Sequence, residues 1–152
     1  MERTSLEERM IQTLEQAGHR VTEPRSQLIK AVVAQKERPF TGEALYEELK
    51  EAGLGRATVF RTLKLLQDLG LLSRLHLPEG CQHYIVSPPE HQDGKHHDRI
   101  ICRVCGRVAY LDECPMSEVI ADIAKASGYK VETHHLDFLG VCSDCLASSD
   151  EN

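Results

Sequence analysis

The chain has 152 residues, 41% of them hydrophobic, and its 18 Lys and Arg against 24 Asp and Glu give a formal net charge of −6. That length allows one or two small domains with packed cores, and the acidic sum excludes indiscriminate attraction to polyanions. No apolar run approaches the length that spans a bilayer, so no membrane partner is expected. The acidity lies in the second half: residues 1–80 hold 12 positive and 12 negative side chains, residues 81–152 hold 6 and 12. A neutral first half can still offer a basic face to nucleic acid, whereas an acidic, His- and Cys-rich second half suits cations.

The opening Met1-Glu2-Arg3-Thr4-Ser5-Leu6-Glu7-Glu8-Arg9 is charged where a signal peptide would be apolar, which places the expected location in the cytoplasm. Ser5 and Glu8 form a capping box for a first helix with Leu6, Met10, Ile11 and Leu14 on one stripe, stopped by Gly18. Thr22 caps a second helix that tolerates Pro24 in its first turn and turns Leu28, Ile29, Val32 and Val33 inward. Thr41 caps a third, ended by Gly53. The fourth runs from Arg56, buries Val59, Leu63 and Leu66, and closes at Gly70. Its expected outer face carries Arg56, Arg61 and Lys64 beside Thr58 and Thr62.

After Gly70 the period changes to that of strands, with residues 71–77, a Pro78-Glu79-Gly80 turn and residues 81–86 reading as a hairpin. Strand alternation would put Cys81 and His83 on one side of it. Two closely spaced helices, the second basic, followed by a hairpin describe a winged helix-turn-helix over residues 1–86. Residues 87–95 read as a linker, and residues 96–152 as a second, metal-binding domain. There, Ile100, Ile101, Val108 and Leu111 suggest strands, residues 117–126 a helix with Val119, Ile120 and Ile123 inward, and Val131, Leu136, Phe138 and Val141 a further strand.

Two CxxC pairs, Cys102/Cys105 and Cys142/Cys145, frame this second domain. A two-residue spacer lets one tight knuckle point both thiolates at one ion, and two knuckles close a tetrahedron that fits Zn²⁺. With all four positions filled by protein, the zinc is expected to be structural. Thioredoxin-like redox pairs are a poorer reading, because strand-like residues rather than a helix follow Cys105. Disulfides suit a cytosolic chain poorly.

The parts occur in a recognisable order: Arg20-Val21-Thr22-Glu23-Pro24-Arg25, Ala57-Thr58-Val59-Phe60-Arg61-Thr62-Leu63, His96-His97-Asp98-Arg99-Ile100-Ile101-Cys102-Arg103-Val104-Cys105-Gly106 and Cys142-Ser143-Asp144-Cys145. Over residues 5–146 the chain resembles the ferric uptake regulator family, including its zinc-sensing branch. The resemblance implies an α+β chain: an N-terminal winged helix, then a C-terminal α/β dimerisation domain, acting as a homodimeric metal-dependent repressor of metal uptake or homeostasis genes. By the same resemblance the fourth helix reads the major groove of an A·T-rich, near-palindromic operator, with Arg61 contacting DNA and Arg20 reaching the minor groove. Arg25 contacts phosphate or braces helix packing. Phe60 stands where tyrosine is usual and keeps only the apolar part of that contact.

A second, regulatory ion, Zn²⁺ or Fe²⁺ and less readily Mn²⁺, is expected as well, since imidazole and thiolate suit such ions. His97 matches the first histidine of the family's inter-domain sensor, but the next position is Arg99, and Pro39, Ile85 and Tyr110 stand at other usual ligand positions. Substitutes near the linker are His76, Cys81, His83 and His91. His96, Asp98 and His134 match an additional site of the family. Its acidic ligand aligns with Ser117, and Glu118 beside it is the candidate replacement. Cys114 reads as a lone buried thiol. A peroxide sensor of the same family, using iron-catalysed oxidation of a ligand histidine, and a zinc-stabilised interaction module are the competing functions. No nucleophile with a base at a known spacing and no phosphate-cradling loop suggests an enzyme.

Overall fold

The structure is a computed structural model and describes residues 5–78, 80–88 and 98–149, the side chain of His76 excepted. The chain divides into two compact units, Met1–Gln92 and Asp93–Asn152. None of the described helices is long and apolar enough to cross a membrane.

The first unit contains α1 (Leu6–Gln16), α2 (Glu23–Ala34), β1 (Phe40–Thr41), α3 (Gly42–Leu49), α4 (Arg56–Asp68), β2 (Leu72–His76) and β3 (Gln82–Val86). Its helix starts follow the local chemistry. Ser5 Oγ accepts from the Glu8 amide at 3.2 Å while Glu8 Oε2 accepts from the Ser5 amide at 2.8 Å, so two otherwise unpaired donors at the head of α1 are satisfied together. Thr22 and Thr41 cap α2 and α3 through their hydroxyls. A 3₁₀ turn, Lys50–Ala52, ends α3 at Gly53, whose φ of +87° favours glycine, and lets α4 start three residues later.

The helices close on one core in which Met10, Leu14, Leu28, Ile29, Val32, Val59, Leu63 and Leu66 have no exposed surface. The hairpin β2–β3 is antiparallel, pairing Leu72 with Val86 and His76 with Gln82. A third strand, β1, was not expected, because two residues are too few for a period to register. It pairs antiparallel with β3, Phe40 opposite Tyr84, their rings stacked 5.9 Å apart. The sheet order β1-β3-β2 ties the start of α3 to the wing. Ser87, at the head of the expected linker, is still held by the wing: its amide donates to the Leu71 carbonyl at 3.0 Å, and its hydroxyl meets that of Ser73 at 2.7 Å.

The second unit contains β4 (Arg99–Cys102), β5 (Val108–Tyr110), α5 (Ser117–Ser127), β6 (Asp137–Gly140) and α6 (Ser143–Ser149). The sheet order is β5-β4-β6, with β4/β5 antiparallel and β4/β6 parallel. Two expectations need correction. Val119 and Ile123 are 43% and 53% exposed rather than inward, because three short strands cannot cover the whole apolar stripe of α5. The strand expected from Val131 is paired only from Asp137, and the second knuckle continues into α6, which a reading centred on cysteine spacing did not foresee.

Candidate metal centres and nucleic-acid interface

The four cysteines meet at one end of the second sheet. Cys102 ends β4, Cys105 lies in the turn before β5, Cys142 follows β6 and Cys145 sits on α6. Gly106, at φ +77°, lets the first knuckle fold back so that its amide donates to the Cys102 carbonyl at 2.9 Å. All four Sγ atoms lie within 4.8 Å of one another, and Cys105 and Cys142 are 3.8 Å apart. A tetrahedron with Zn–S bonds of about 2.3 Å has edges of about 3.8 Å, so the spacing fits zinc.

The electrostatics agree. Backbone amides at Cys105 and Cys142 hold the Cys102 thiol down to about 6, while hydrogen bonding to Cys142 and burial push Cys145 up to about 12. Four adjacent thiols cannot all ionise unless a cation balances them. Arg107 reaches from beside the first knuckle to Asp144 of the second at 2.7 Å.

At the opposite end of the sheet, Asp98, Cys114 and His134 form a second cluster whose ligand atoms also lie within 4.8 Å of one another. Asp98 precedes β4, Cys114 lies between β5 and α5, and His134 lies between α5 and β6. The Asp98 side chain is 1% exposed, and neither of its oxygens accepts a hydrogen bond among the described residues. His134 Nε2 stands 3.5 Å from Asp98 Oδ1 and 3.3 Å from Cys114 Sγ. Burial first, then the neighbouring Asp98 carboxylate, pushes the Cys114 thiol up. Glu118 is exposed and brings no carboxylate oxygen into this cluster, whereas Cys114 joins it and is not a lone thiol. A Cys and a His twenty residues apart have no spacing signature, and only the fold pairs them.

The linker-flanking ligands are only partly described. His91, His96, His97 and the side chain of His76 lie outside the described residues. Cys81 is exposed and precedes β3 instead of lying on it, and the His83 ring nitrogen Nδ1 sits 3.0 Å from the Cys81 carbonyl. No third described ligand joins Cys81 and His83. Arg99 is engaged elsewhere: its Nε and Nη2 donate to Asp137 at 2.8 and 3.2 Å, across the β4/β6 register that places the two residues side by side.

On the first unit, α4 exposes Arg56, Arg61 and Lys64, with Thr58 and Phe60 half-buried. Arg56 pairs with Glu43 of α3 and lies over the Phe60 ring, 4.9 Å from its centroid. That ring packs on the head of α3, where a Cβ at Gly42 would come within 2.6 Å of it. Lys64 pairs with Asp68 one turn on at 3.1 Å. Thr62 faces inward, 3% exposed, and donates to the Thr58 carbonyl, so it leaves the expected outer face. Arg20 is exposed, and Arg25 Nη1 donates to its carbonyl at 2.7 Å, a bracing contact at the entry to α2.

A winged helix and, in the second unit, a small α/β fold that gathers four cysteines at one end of its sheet form the architecture of a metal-binding transcription regulator. The family model described as the ferric uptake regulator family matches residues 16–139, and the ferric uptake regulation protein of Neisseria meningitidis is 36% identical over 140 residues, covering 90% of this chain and 93% of that protein. The chain belongs to the ferric uptake regulator family. Among solved structures, the Vibrio cholerae ferric uptake regulator is 28% identical with a TM-score of 0.60, covering 86% of this chain and 98% of that one. A zinc uptake regulator complexed with zinc and DNA shares the fold with a TM-score of 0.75 at 21% identity, covering 97% and 99%.

Proposed function

We propose that this chain is a cytoplasmic, metal-responsive repressor that binds operator DNA as a homodimer and controls genes of metal uptake or homeostasis. The observation that carries this reading is the joining, in one chain, of a winged helix whose α4 holds Arg61 in solvent to a unit with a four-thiolate site and a second, mixed-ligand cluster. Zn²⁺ at Cys102, Cys105, Cys142 and Cys145 holds the second unit together. The regulatory ion, Zn²⁺ or Fe²⁺ before Mn²⁺, is assigned to the end of the sheet where Asp98 and His134 lie, with His96 a further donor by its place in the sequence. His76, Cys81, His83, His91 and His97 form a separate candidate set around the linker.

The DNA-contacting residues are Arg61 and Lys64 on α4, with Arg56, Thr58 and Phe60 beside them, and Arg20 at the entry to α2, with Arg25 behind it. Apolar side chains left exposed on the second unit, Phe138 and Leu139 at 40% and 44% among them, supply a surface for the dimer. Mobility shifts on A·T-rich, near-palindromic promoter DNA, with protein stripped of its labile metal and then given Zn²⁺, Fe²⁺ or Mn²⁺, test this. Retardation that requires one of these ions is expected, and identical binding with and without metal would overturn it.

A further inference from the structure

The geometry points to Cys114 as a thiolate ligand of a metal site completed by Asp98 and His134, which makes the second centre of this protein a mixed N/O/S site selective for zinc over manganese. The inference rests on the reading that this end of the sheet binds a regulatory ion, and it names the ligand that sets which ion.

Three observations carry it. First, the distances are those of the edges of a coordination polyhedron. A tetrahedral ion about 2.0–2.3 Å from N, O and S donors separates them by about 3.3–3.6 Å. His134 Nε2 is 3.3 Å from Cys114 Sγ and 3.5 Å from Asp98 Oδ1. The second spacing is too long for a charge-assisted hydrogen bond. Second, Asp98 is a carboxylate with 1% of its side chain exposed, and neither oxygen accepts a hydrogen bond among the described residues. A buried carboxylate whose oxygens accept no hydrogen bond is costly, and a divalent cation held between these three donors removes that cost.

Third, the backbone presets the donors. The Leu111 amide donates to the Asp98 carbonyl at 2.9 Å, which fixes the exit of β5 beside the entry to β4, three residues before Cys114. A cleft of about 250 Å³ lined by Cys114, Ser117, Ile120 and His134 opens beside the cluster and gives an ion a way in. The two centres lie at opposite ends of β4, about 13 Å apart at strand rise, so they share no ligand. A thiolate in place of a carboxylate softens the donor set, which favours Zn²⁺ and disfavours Mn²⁺, an ion that prefers oxygen. Zinc binding displaces the thiol proton to solvent, and no redox step is involved.

The test uses the full-length protein with its four-thiolate zinc in place, titrated with Co²⁺ as a spectroscopic stand-in while zinc release is monitored. The wild type is expected to take one further cobalt per chain with a thiolate-to-cobalt charge-transfer band. Cys114→Ser is expected to lose that band, keep its structural zinc and bind Zn²⁺ at least about tenfold more weakly, with little change for Mn²⁺. A parallel measurement needs no variant: a second equivalent of Zn²⁺ should slow alkylation of Cys114, mapped by peptide mass, by about tenfold or more. A cobalt site whose band survives in Cys114→Ser, or that shows no band in the wild type, would overturn the assignment of Cys114 while leaving a second metal site standing. Failure to bind any second ion would overturn both readings. An alkylation rate indifferent to zinc would likewise exclude Cys114 as a ligand.

Discussion

Arg99 stands where the family resemblance puts a metal-binding histidine, and the fold gives it a different task. Its guanidinium and the Asp137 carboxylate are 6% and 11% exposed and joined by two hydrogen bonds, a geometry that arginine alone provides. Removing one partner of a buried pair leaves the other charge stranded. Asp137→Ala is therefore expected to destabilise the second unit by about 3 kcal/mol, read as a lower thermal midpoint with zinc still bound. Arg61 is the opposite case: it is exposed on α4 and its side chain makes no hydrogen bond or ion pair among the described residues. Arg61→Ala should cost about 1–3 kcal/mol of operator affinity in a mobility-shift titration, with unchanged zinc content and unfolding midpoint. Normal operator binding by this variant would remove α4 from the role of reader.

At the scale of elements, an ion held by the four thiols would tie the two knuckles together. β4 and β6 bring Cys102 and Cys142 together by their parallel register, but the thiols at the ends of those strands repel once ionised. Cys145→Ser removes the ligand carried by α6 and is expected to release zinc and unfold the second unit, because a structural zinc contributes on the order of 10 kcal/mol. Circular dichroism together with zinc analysis of the purified variant would show it, and a folded, zinc-loaded Cys145→Ser would refute the four-thiolate assignment. The same site sets a pH dependence. Zinc must displace the proton that Cys145, pushed up to about 12, keeps at neutral pH, so binding releases protons and strengthens as pH rises. As pH falls, protons compete with zinc for the thiolates, and zinc loss to a chromophoric chelator should accelerate toward acid pH.

On the scale of the whole molecule, the second unit leaves large apolar side chains in solvent: Val119, Ile123, Phe138 and Leu139 are each about 40% exposed or more. β6 is also an edge of its sheet, so its outer backbone groups are unpaired within the described residues. A second copy of the chain, as proposed above, would cover both. Phe138→Asp is expected to yield a zinc-loaded monomer by sedimentation equilibrium, and with it to lose operator affinity, since two half-sites require two readers. A dimer as tight as that of the wild type would place the interface elsewhere.

Caps, helix stripes and paired cysteines are local signals, carried within a few residues, and they make the four helices, the wing and the CxxC knuckles legible in the sequence. Ser5 with Glu8, Thr22 and Thr41 all cap the helices expected of them. What the sequence alone could not decide were contacts between residues far apart in it. The two-residue β1 has no period to detect, and its existence follows from Tyr84 lying opposite Phe40. Thr62 looks surface-like by type but turns inward because its hydroxyl has the Thr58 carbonyl one turn back as a partner. The second centre shows the division most clearly. Asp98 and His134 were candidates by resemblance, Glu118 by proximity in sequence, and Cys114 by nothing; β4, β5 and β6 then placed the entries and exits of three segments at one end of the sheet and brought Cys114 to His134. Spacing along a chain determines which side chains share a knuckle or a helix face, whereas the pairing of strands determines which loops share an end, and that pairing is a property of the folded sheet.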